Sequence, residues 1–402
     1  MFTRGLMKKT IAGVAAILAA GLVLAGCGAG GANGTADTAG ESGSSSKSVV
    51  TVNNVEPAAG LIPSNTNDMA GWKVVTQLFE GLVTFSDTGE LVYADAKSIT
   101  PNDDASQYTI TLRSGLKFSN GEKITAQTYA KSWSFAANAA NGQMGAAIFA
   151  TIKGYDGLQD EHGDKDAQLS GLEAVNDTTL KVTLAAPDSS FAYKVGDVAF
   201  LPLPDEAYKD IDQFGEQPIG NGPYKLDSWQ HDHSIKLVPN PEYDGPRKAK
   251  NAGVTYTLYT NLDSAYADLV AGNLDVLDSI PSSALVTYRG EKAIQPFSKA
   301  GPGFKSFTIP QNLKHFTGEE GRLRRAAISM AINRNNIVEK VLRGAAAAAT
   351  DFTAPVIAGY AKDLDKDGVL GYSADQAKQL WAQADAINPW DGTFRLAYST
   401  DS

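Results

Sequence analysis

The chain has 402 residues, of which 43% are hydrophobic and 9% aromatic, enough for a large core divided between two lobes. Its formal net charge of −10 argues against nucleic acid as a partner, because phosphate binding needs a basic face. Cys27 is the only cysteine, so we expect neither an internal disulfide nor a thiolate metal site.

The N-terminus has the order of a secretory signal: a basic start, an apolar run over residues 11–24, then small residues. The run is too short for a comfortable membrane span. Leu24-Ala25-Gly26-Cys27 resembles the lipobox of bacterial lipoproteins. The resemblance implies that residues 1–26 are cleaved and that Cys27 carries lipid, tethering the chain outside the cytoplasmic membrane, on a Gram-positive surface or in a periplasm. A buried cysteine or an uncleaved anchor helix is the alternative.

Residues 28–48 contain almost only small and polar residues, with no large apolar one. Such a segment cannot bury enough surface to offset its ordering entropy. We therefore interpret residues 27–48 as the lipidated cysteine and a flexible linker. Met7, directly before two lysines, is an alternative start to Met1.

Alternating apolar residues then predict three hairpins. The first has a strand over residues 108–112 and a tight turn at Asn120-Gly121, and a helix over residues 126–137 follows it. The second covers residues 172–184, and the third covers residues 224–237.

The later part of the chain predicts mainly helices. Residues 261–276 predict a helix, a turn and a strand, and apolar residues recur at helical spacing over residues 323–331. A helix over residues 335–343 should stop at Gly344. Ser373 and Gln376 have capping-box spacing before another helix.

Four stretches of the body resemble the family 5 extracellular solute-binding proteins, the group that binds oligopeptides and dipeptides. They are residues 77–83, residues 108–126, residues 218–226 with 240–243, and residues 323–344. Each is weak alone, but they stand in family order behind a lipobox. The resemblance implies an α/β, two-lobed periplasmic-binding-protein-like fold of class II.

The resemblance also implies the domain organisation. Residues 49–262 would form the first lobe, with an inserted subdomain at about residues 86–185, and residues 263–402 the second lobe. The family continues well beyond residues 394–402, which look like a strand, by roughly 100–150 residues. The missing part would include the aspartate that pairs with the peptide amino terminus. We therefore expect an incomplete second lobe, and a truncated or non-functional fragment is one hypothesis.

By resemblance, the protein captures oligopeptides in a cleft between the lobes and does no chemistry. Hinge closure over the ligand then lets it dock on the permease subunits of an ATP-driven (ABC) importer, which work with their ATPases. We expect a monomer without cofactor or metal. The expected ligand-binding residues come from three segments: Asn67, Asp68, Met69 and Trp72; Gln143, Met144 and Phe149; and Phe304 and Phe307, on a strand over residues 304–309, with Gln311 and Asn312.

Other interpretations rest on single features. None of the four histidines lies in a catalytic or metal motif. The segment from Asp363 to Gly368 begins like a calcium-binding loop, but Ala374 stands at the position where that loop needs a glutamate. Gly220-Asn221-Gly222-Pro223 predicts a structural corner that needs unusual backbone angles. A related surface lipoprotein that binds an oligosaccharide or a nickel complex, or that signals or adheres, remains an alternative.

Overall fold

The computed structural model describes residues 48–86, 88–357 and 359–397, so the predicted signal, Cys27 and the predicted linker up to residue 47 lie outside the described residues. The strands of these residues are β1 Val49–Asn54, β2 Val83–Phe85, β3 Leu91–Tyr93, β4 Ala96–Pro101, β5 Gln107–Leu112, β6 Leu172–Asn176, β7 Thr179–Thr183, β8 Tyr224–Gln230, β9 Ser234–Pro239 and β10 Gly253–Leu258. The α-helices are α1 Met69–Leu78, α2 Ala126–Ala137, α3 Phe191–Lys194, α4 Ile211–Glu216, α5 Leu262–Ala271, α6 Gly318–Ala331, α7 Arg334–Asn336 and α8 Ala374–Ile387.

Short 3-10 helices connect these elements. They are Pro63–Asn65, Ala139–Asn141, Ala146–Thr151, Tyr155–Leu158, Val198–Phe200, Asp205–Tyr208, Ser282–Ala284 and Tyr288–Gly290.

One four-stranded sheet has the order β1-β10-β9-β8, with β1 and β10 parallel and the other pairs antiparallel. Strands β8 and β9 confirm the third predicted hairpin. Helix α5 follows β10 and returns the chain to the far side of β1, where Val276 makes a parallel bridge with Val52. Parallel neighbours need such a crossover. The segment after α5 therefore joins the edge of the first sheet through this bridge.

A second, antiparallel sheet has the order β4-β5-β7-β6, and α2 packs on it. The predicted strand in β5, the hairpin of β6 and β7, and the helix α2 are confirmed. Thr125 caps α2 in a capping box with Thr128. The core of this sheet centres on Trp133, which is fully buried. The turn at Asn120-Gly121 is also present, with Gly121 at φ 87°.

A separate core lies between α1 and the first sheet. Val74, Val75 and Leu78 of α1 are fully buried in one cluster with Ile235 and Leu237 of β9. Their spacing is that of one helix face, which fixes α1 on the sheet and leaves its other face exposed.

Beyond Asp278, α6 and α8 pack together, as their apolar spacing predicts. Ser373 accepts a hydrogen bond from the Gln376 N–H at 3.3 Å and caps α8. The helix expected over residues 335–343 is instead the short α7 followed by a π-helical turn, Ile337–Val341. Gly344, at φ 75°, ends this segment, as expected.

Two expected strands are wrong. Residues 304–309 and 394–397 have no strand pairing, because no neighbouring strand among the described residues offers backbone partners. Several large apolar residues after Asp278 are exposed, including Phe297 at 75% and Phe352 at 77%.

Candidate functional site

Two loops, at residues 64–68 and 143–145, are held together by hydrogen bonds. The Ser64 hydroxyl donates to Gln143 Oε1 at 2.8 Å, and the Gly145 N–H donates to the Ser64 carbonyl at 2.9 Å. The Met144 N–H donates to Asn65 Oδ1 at 3.1 Å. A Cβ at residue 145 would stand 2.9 Å from the Ser64 carbonyl oxygen, so glycine permits this close approach. Two predicted ligand-binding segments are thereby brought side by side.

The start of α1 is fixed by Asp68, another predicted ligand residue. Its carboxylate accepts from the Gly71 N–H at 2.9 Å and so caps the helix. Met69 and Trp72 follow three residues apart, which places them on neighbouring positions of one helix face. Their side chains are 67% and 46% exposed. The cap therefore orients two large apolar side chains toward solvent.

Met144 joins this surface from the second loop. Asn67 Nδ2 lies 3.0 Å from Met144 Sδ, and Met144 is 49% exposed. We call Met69, Trp72 and Met144 the Met–Trp patch. It is an exposed apolar surface on a hydrogen-bonded scaffold.

Two other predicted residues of this group have different environments. Phe149 is fully buried, with its ring centroid 4.5 Å from that of Phe200 and 6.5 Å from that of Trp133. This burial corrects the predicted ligand contact of Phe149, because its ring packs in the core. Gln143 is buried and donates to the Asn141 carbonyl at 2.9 Å, so its amide supports the loop that carries Met144.

The predicted ligand residues of the later segment are exposed. Phe304 and Phe307 are 43% and 46% exposed, and Gln311 and Asn312 are exposed as well. Among the hydrogen bonds of the described residues, none joins residues 304–312 to the Met–Trp patch or its loops. The hydrogen bonds therefore join the predicted residues at 67–72 to those at 143–144, but not to those at 304–312.

An ion pair that the sequence did not reveal adjoins the patch. Lys73, next to Trp72 on α1, pairs with Asp278. Asn53 holds Asp278 from the other side, because its Nδ2 donates to Asp278 Oδ1 and its Oδ1 accepts from the Asp278 N–H, both at 3.0 Å. These contacts tie the segment after α5 to α1 and β1. Asp278 lies 225 positions from Asn53 along the chain, so no local pattern could indicate the contact.

The corner at residues 220–223 is the centre of a buried polar network. Asn221 accepts from the Glu80 N–H at 3.0 Å, donates to the Glu80 carbonyl at 2.9 Å and donates to Asp95 Oδ2 at 2.9 Å. Glu80 also accepts from the Tyr243 hydroxyl at 2.5 Å and from Arg247 Nε at 3.0 Å. The network links the C-terminal end of α1 to the start of β8, and its role is to stabilise the fold.

The backbone angles expected at this corner are wrong. Neither Gly220 nor Gly222 has a positive φ. Glycine is needed for space instead: a Cβ on Gly220 would overlap the Leu78 carbonyl, and one on Gly222 would lie 2.6 Å from the Gln77 oxygen.

Asp95 is the most strongly perturbed acid of this network. Burial raises its pKa to about 8, and the Glu80 charge acts in the same direction, while the hydrogen bond from Tyr129 opposes them. The carboxyl group therefore carries a proton near neutral pH. Because it faces Asn221 and Tyr129 inside the core, it has no access to a substrate.

Two of the histidines lie between pairs of carboxylates. His231 is exposed between Glu56, at 2.7 Å, and Glu216, at 2.9 Å. His315 is buried between Glu320, at 2.6 Å, and Asp391, at 2.8 Å, where hydrogen bonding to both carboxylates raises its pKa. In the part of the chain that the structure describes, no group of three or more His, Cys, Asp or Glu side chains is arranged to hold a metal ion.

Two surface cavities lie away from the predicted ligand residues. One, of about 620 Å³, adjoins β8 and the turn at Ser119 and Asn120. The other, of about 360 Å³, is lined by Arg334 and Tyr372 and includes Asp363 and Asp365 of the calcium-like loop. Asp365 there accepts from two backbone N–H groups, those of residues 369 and 370, at 2.9 Å each. The Met–Trp patch is an open surface rather than either cavity.

None of the helices in residues 48–86, 88–357 and 359–397 combines the length and hydropathy that a membrane span requires.

Comparison with known proteins gives a consistent result. A family model described as "Bacterial extracellular solute-binding proteins, family 5 Middle" matches residues 90–402. The oligopeptide-binding protein OppA of Bacillus subtilis is 27% identical over 98% of this chain and 73% of its own length. The periplasmic murein peptide-binding protein MppA of Escherichia coli is 30% identical over 76% of this chain and 56% of its own length.

Solved structures of binding proteins have the same fold as this chain. The murein tripeptide binding protein MppA of Escherichia coli matches with a TM-score of 0.70 and 25% identity, over 85% of this chain and 67% of that one. A periplasmic oligopeptide-binding protein of Borrelia burgdorferi matches with a TM-score of 0.69 and 25% identity, over 84% of this chain and 67% of that one. The expected α/β two-lobed binding-protein fold is thereby confirmed, and the chain spans between about half and three quarters of the length of these relatives.

Proposed function

Because the chain belongs to the bacterial extracellular solute-binding proteins of family 5, we propose that it captures oligopeptides and delivers them to a membrane permease. The ligand would lie between the first-lobe surface around Asn67 and Trp72 and the part of the second lobe around Phe304 and Phe307. Closure of the lobes over the ligand would be the signal that the permease and its ATPases recognise.

The observation that carries this proposal is the pair of joined loops at residues 64–68 and 143–145. Their hydrogen bonds fix Asn65 and Asn67 and the exposed Met–Trp patch before any ligand arrives. A preformed surface of this kind reduces the ordering cost of binding. Relatives whose names state a peptide ligand support the choice of ligand class.

Lipid on Cys27 would hold the protein at the outer face of the membrane. Residues 28–48 would act as a flexible linker between this anchor and the folded body. This arrangement keeps the captured peptide near the permease, where the effective concentration is high. The protein would itself catalyse no reaction.

A non-peptide ligand is the second candidate. One relative in Escherichia coli is named a probable deoxycholate-binding periplasmic protein, and the exposed apolar patch suits such a ligand as well. An oligosaccharide or a nickel complex belongs to the same alternative.

Mass spectrometry of small molecules released from the purified chain tests the proposal. We expect peptides of mixed sequence, absent from a sample that was unfolded and washed before release. Sugars, a steroid or a metal chelate in place of peptides would reject the peptide function.

A further inference from the structure

We propose that the Met–Trp patch makes this chain favour peptides with a large apolar side chain, a selectivity that rests on the proposed peptide-binding function. Met69 and Trp72 stand three residues apart on α1, and Met144 Sδ lies 3.0 Å from Nδ2 of Asn67, two residues before Met69. Each of the three residues is between 46% and 67% exposed. Single exposed apolar residues are common on protein surfaces, whereas adjacent ones mark interaction sites.

Hydrogen bonds hold the backbone and side chains that carry the patch. Met144 is held through its N–H by Asn65 and through its sulfur by Asn67, and Asp68 caps the helical turn that carries Met69 and Trp72. A ligand side chain that covers these groups removes apolar surface from water on both partners. The thioether and indole groups add contacts to aromatic rings.

The charges next to the patch already have partners. The Asp68 carboxylate accepts from the Gly71 N–H, and the Lys73 ammonium group pairs with Asp278. A carboxylate of the ligand placed on the patch would lose hydration without gaining a cationic partner, because Lys73 is already paired. An aromatic or large aliphatic side chain meets no such cost, and the flexible methionines accommodate several shapes.

A peptide scan on the 402-residue chain measures this selectivity. Serine pentapeptides with one phenylalanine moved through the five positions are titrated calorimetrically, beside the same set carrying glutamate. We expect one position at which phenylalanine strengthens binding roughly tenfold over serine, as burial of one side chain allows. Glutamate at that position should not strengthen it.

Three variants assign the preference to the patch. Trp72→Ala and Met144→Ala should each reduce the phenylalanine preference to about threefold or less, since each removes part of the contact surface. Tyr193→Ala is the matched control, because Tyr193 is 59% exposed and stacks on Phe85 instead. It should keep the full preference. Circular dichroism verifies that each variant is folded.

Peptide binding without preference, or a preference that survives both patch variants, would overturn the selectivity and leave the proposed function standing. A folded chain that binds none of the peptides would overturn both.

Discussion

Asn221 holds the peptide groups flanking Glu80 from one side chain: its Oδ1 accepts from the Glu80 N–H at 3.0 Å, and its Nδ2 donates to the Glu80 carbonyl at 2.9 Å. Both backbone groups lie in a buried region, so no solvent replaces Asn221 if it is lost.

Asn221→Ala should therefore lower the free energy of unfolding by about 2–4 kcal/mol, because two buried backbone groups lose their partner. Urea unfolding measures the change. Asn335→Ala, at an exposed position on α7, is the control and should change stability by less than about 0.5 kcal/mol. Equal effects of the two substitutions would contradict the role assigned to the network.

The pKa of Asp95 predicts a pH dependence of stability. Burial raises this pKa from 3.8 to about 8, so the folded protein binds a proton that the unfolded chain releases between those values. Stability should be highest below pH 4 as far as this group is concerned. It should fall as pH rises toward 8, by at most about 1.4 kcal/mol per pH unit.

Asp95→Asn removes that titration while keeping a side chain of the same shape. Urea unfolding from pH 5 to pH 9 should show a shallower decline for the variant than for the native chain. The two histidines with raised pKa, His231 and His315, contribute in the same direction and remain in both proteins, so the difference isolates Asp95. Parallel curves would show that Asp95 does not carry the proton.

Gly145→Ala should separate the two joined loops. The new Cβ would approach the Ser64 carbonyl oxygen to 2.9 Å and the Ala199 Cβ to 3.0 Å, so the loops must move apart. We expect a stability loss of about 1–3 kcal/mol and weaker peptide binding. Gly157→Ala is the matched control, since a Cβ there meets nothing within 4 Å. Unchanged peptide affinity in a Gly145→Ala protein would remove these loops from the site.

Phe149→Ala should affect stability. Removing a fully buried ring leaves a cavity and costs about 3–5 kcal/mol, whereas Phe297→Ala, at a position 75% exposed, should cost less than about 0.5 kcal/mol. The milder Phe149→Leu should keep peptide affinity in the folded protein. A selective loss of affinity in Phe149→Leu would restore Phe149 to the ligand surface.

Cys27→Ser should abolish membrane attachment without changing the fold, because Cys27 precedes all described residues. Metabolic labelling with palmitate and membrane fractionation compare the two proteins in a bacterial host. We expect label and membrane association only in the native chain. Labelled Cys27→Ser protein would exclude the lipobox interpretation.

The sequence predicts best where structure is local. Alternation predicts β5, and the sequence of residues 126–137 predicts the helix α2, because these patterns depend on neighbours in the chain. The strand expected over residues 304–309 fails for the opposite reason: a strand also needs a partner, and the partner is not a property of the segment.

In the candidate site, too, features that depend on distant contacts could not be predicted from the sequence. Met144 and Phe149 lie five residues apart and are both large and apolar, yet one is half-exposed and the other fully buried. Their difference depends on how the loop lies against Ser64 and the core, which no spacing records. The Lys73–Asp278 pair and the bonds of Asn221 are likewise contacts between distant segments.

The glycines at residues 220 and 222 have a consequence for how this protein can evolve. The C-terminal end of α1 packs directly against the backbone of Gly220 and Gly222, just before β8. The absence of a Cβ at both positions permits this close approach. Any larger residue must lift the helix that carries Met69 and Trp72. A substitution at residue 220 or 222 would therefore tilt the exposed surface at Met69 and Trp72. We expect substitutions at this corner only together with compensating substitutions in that surface.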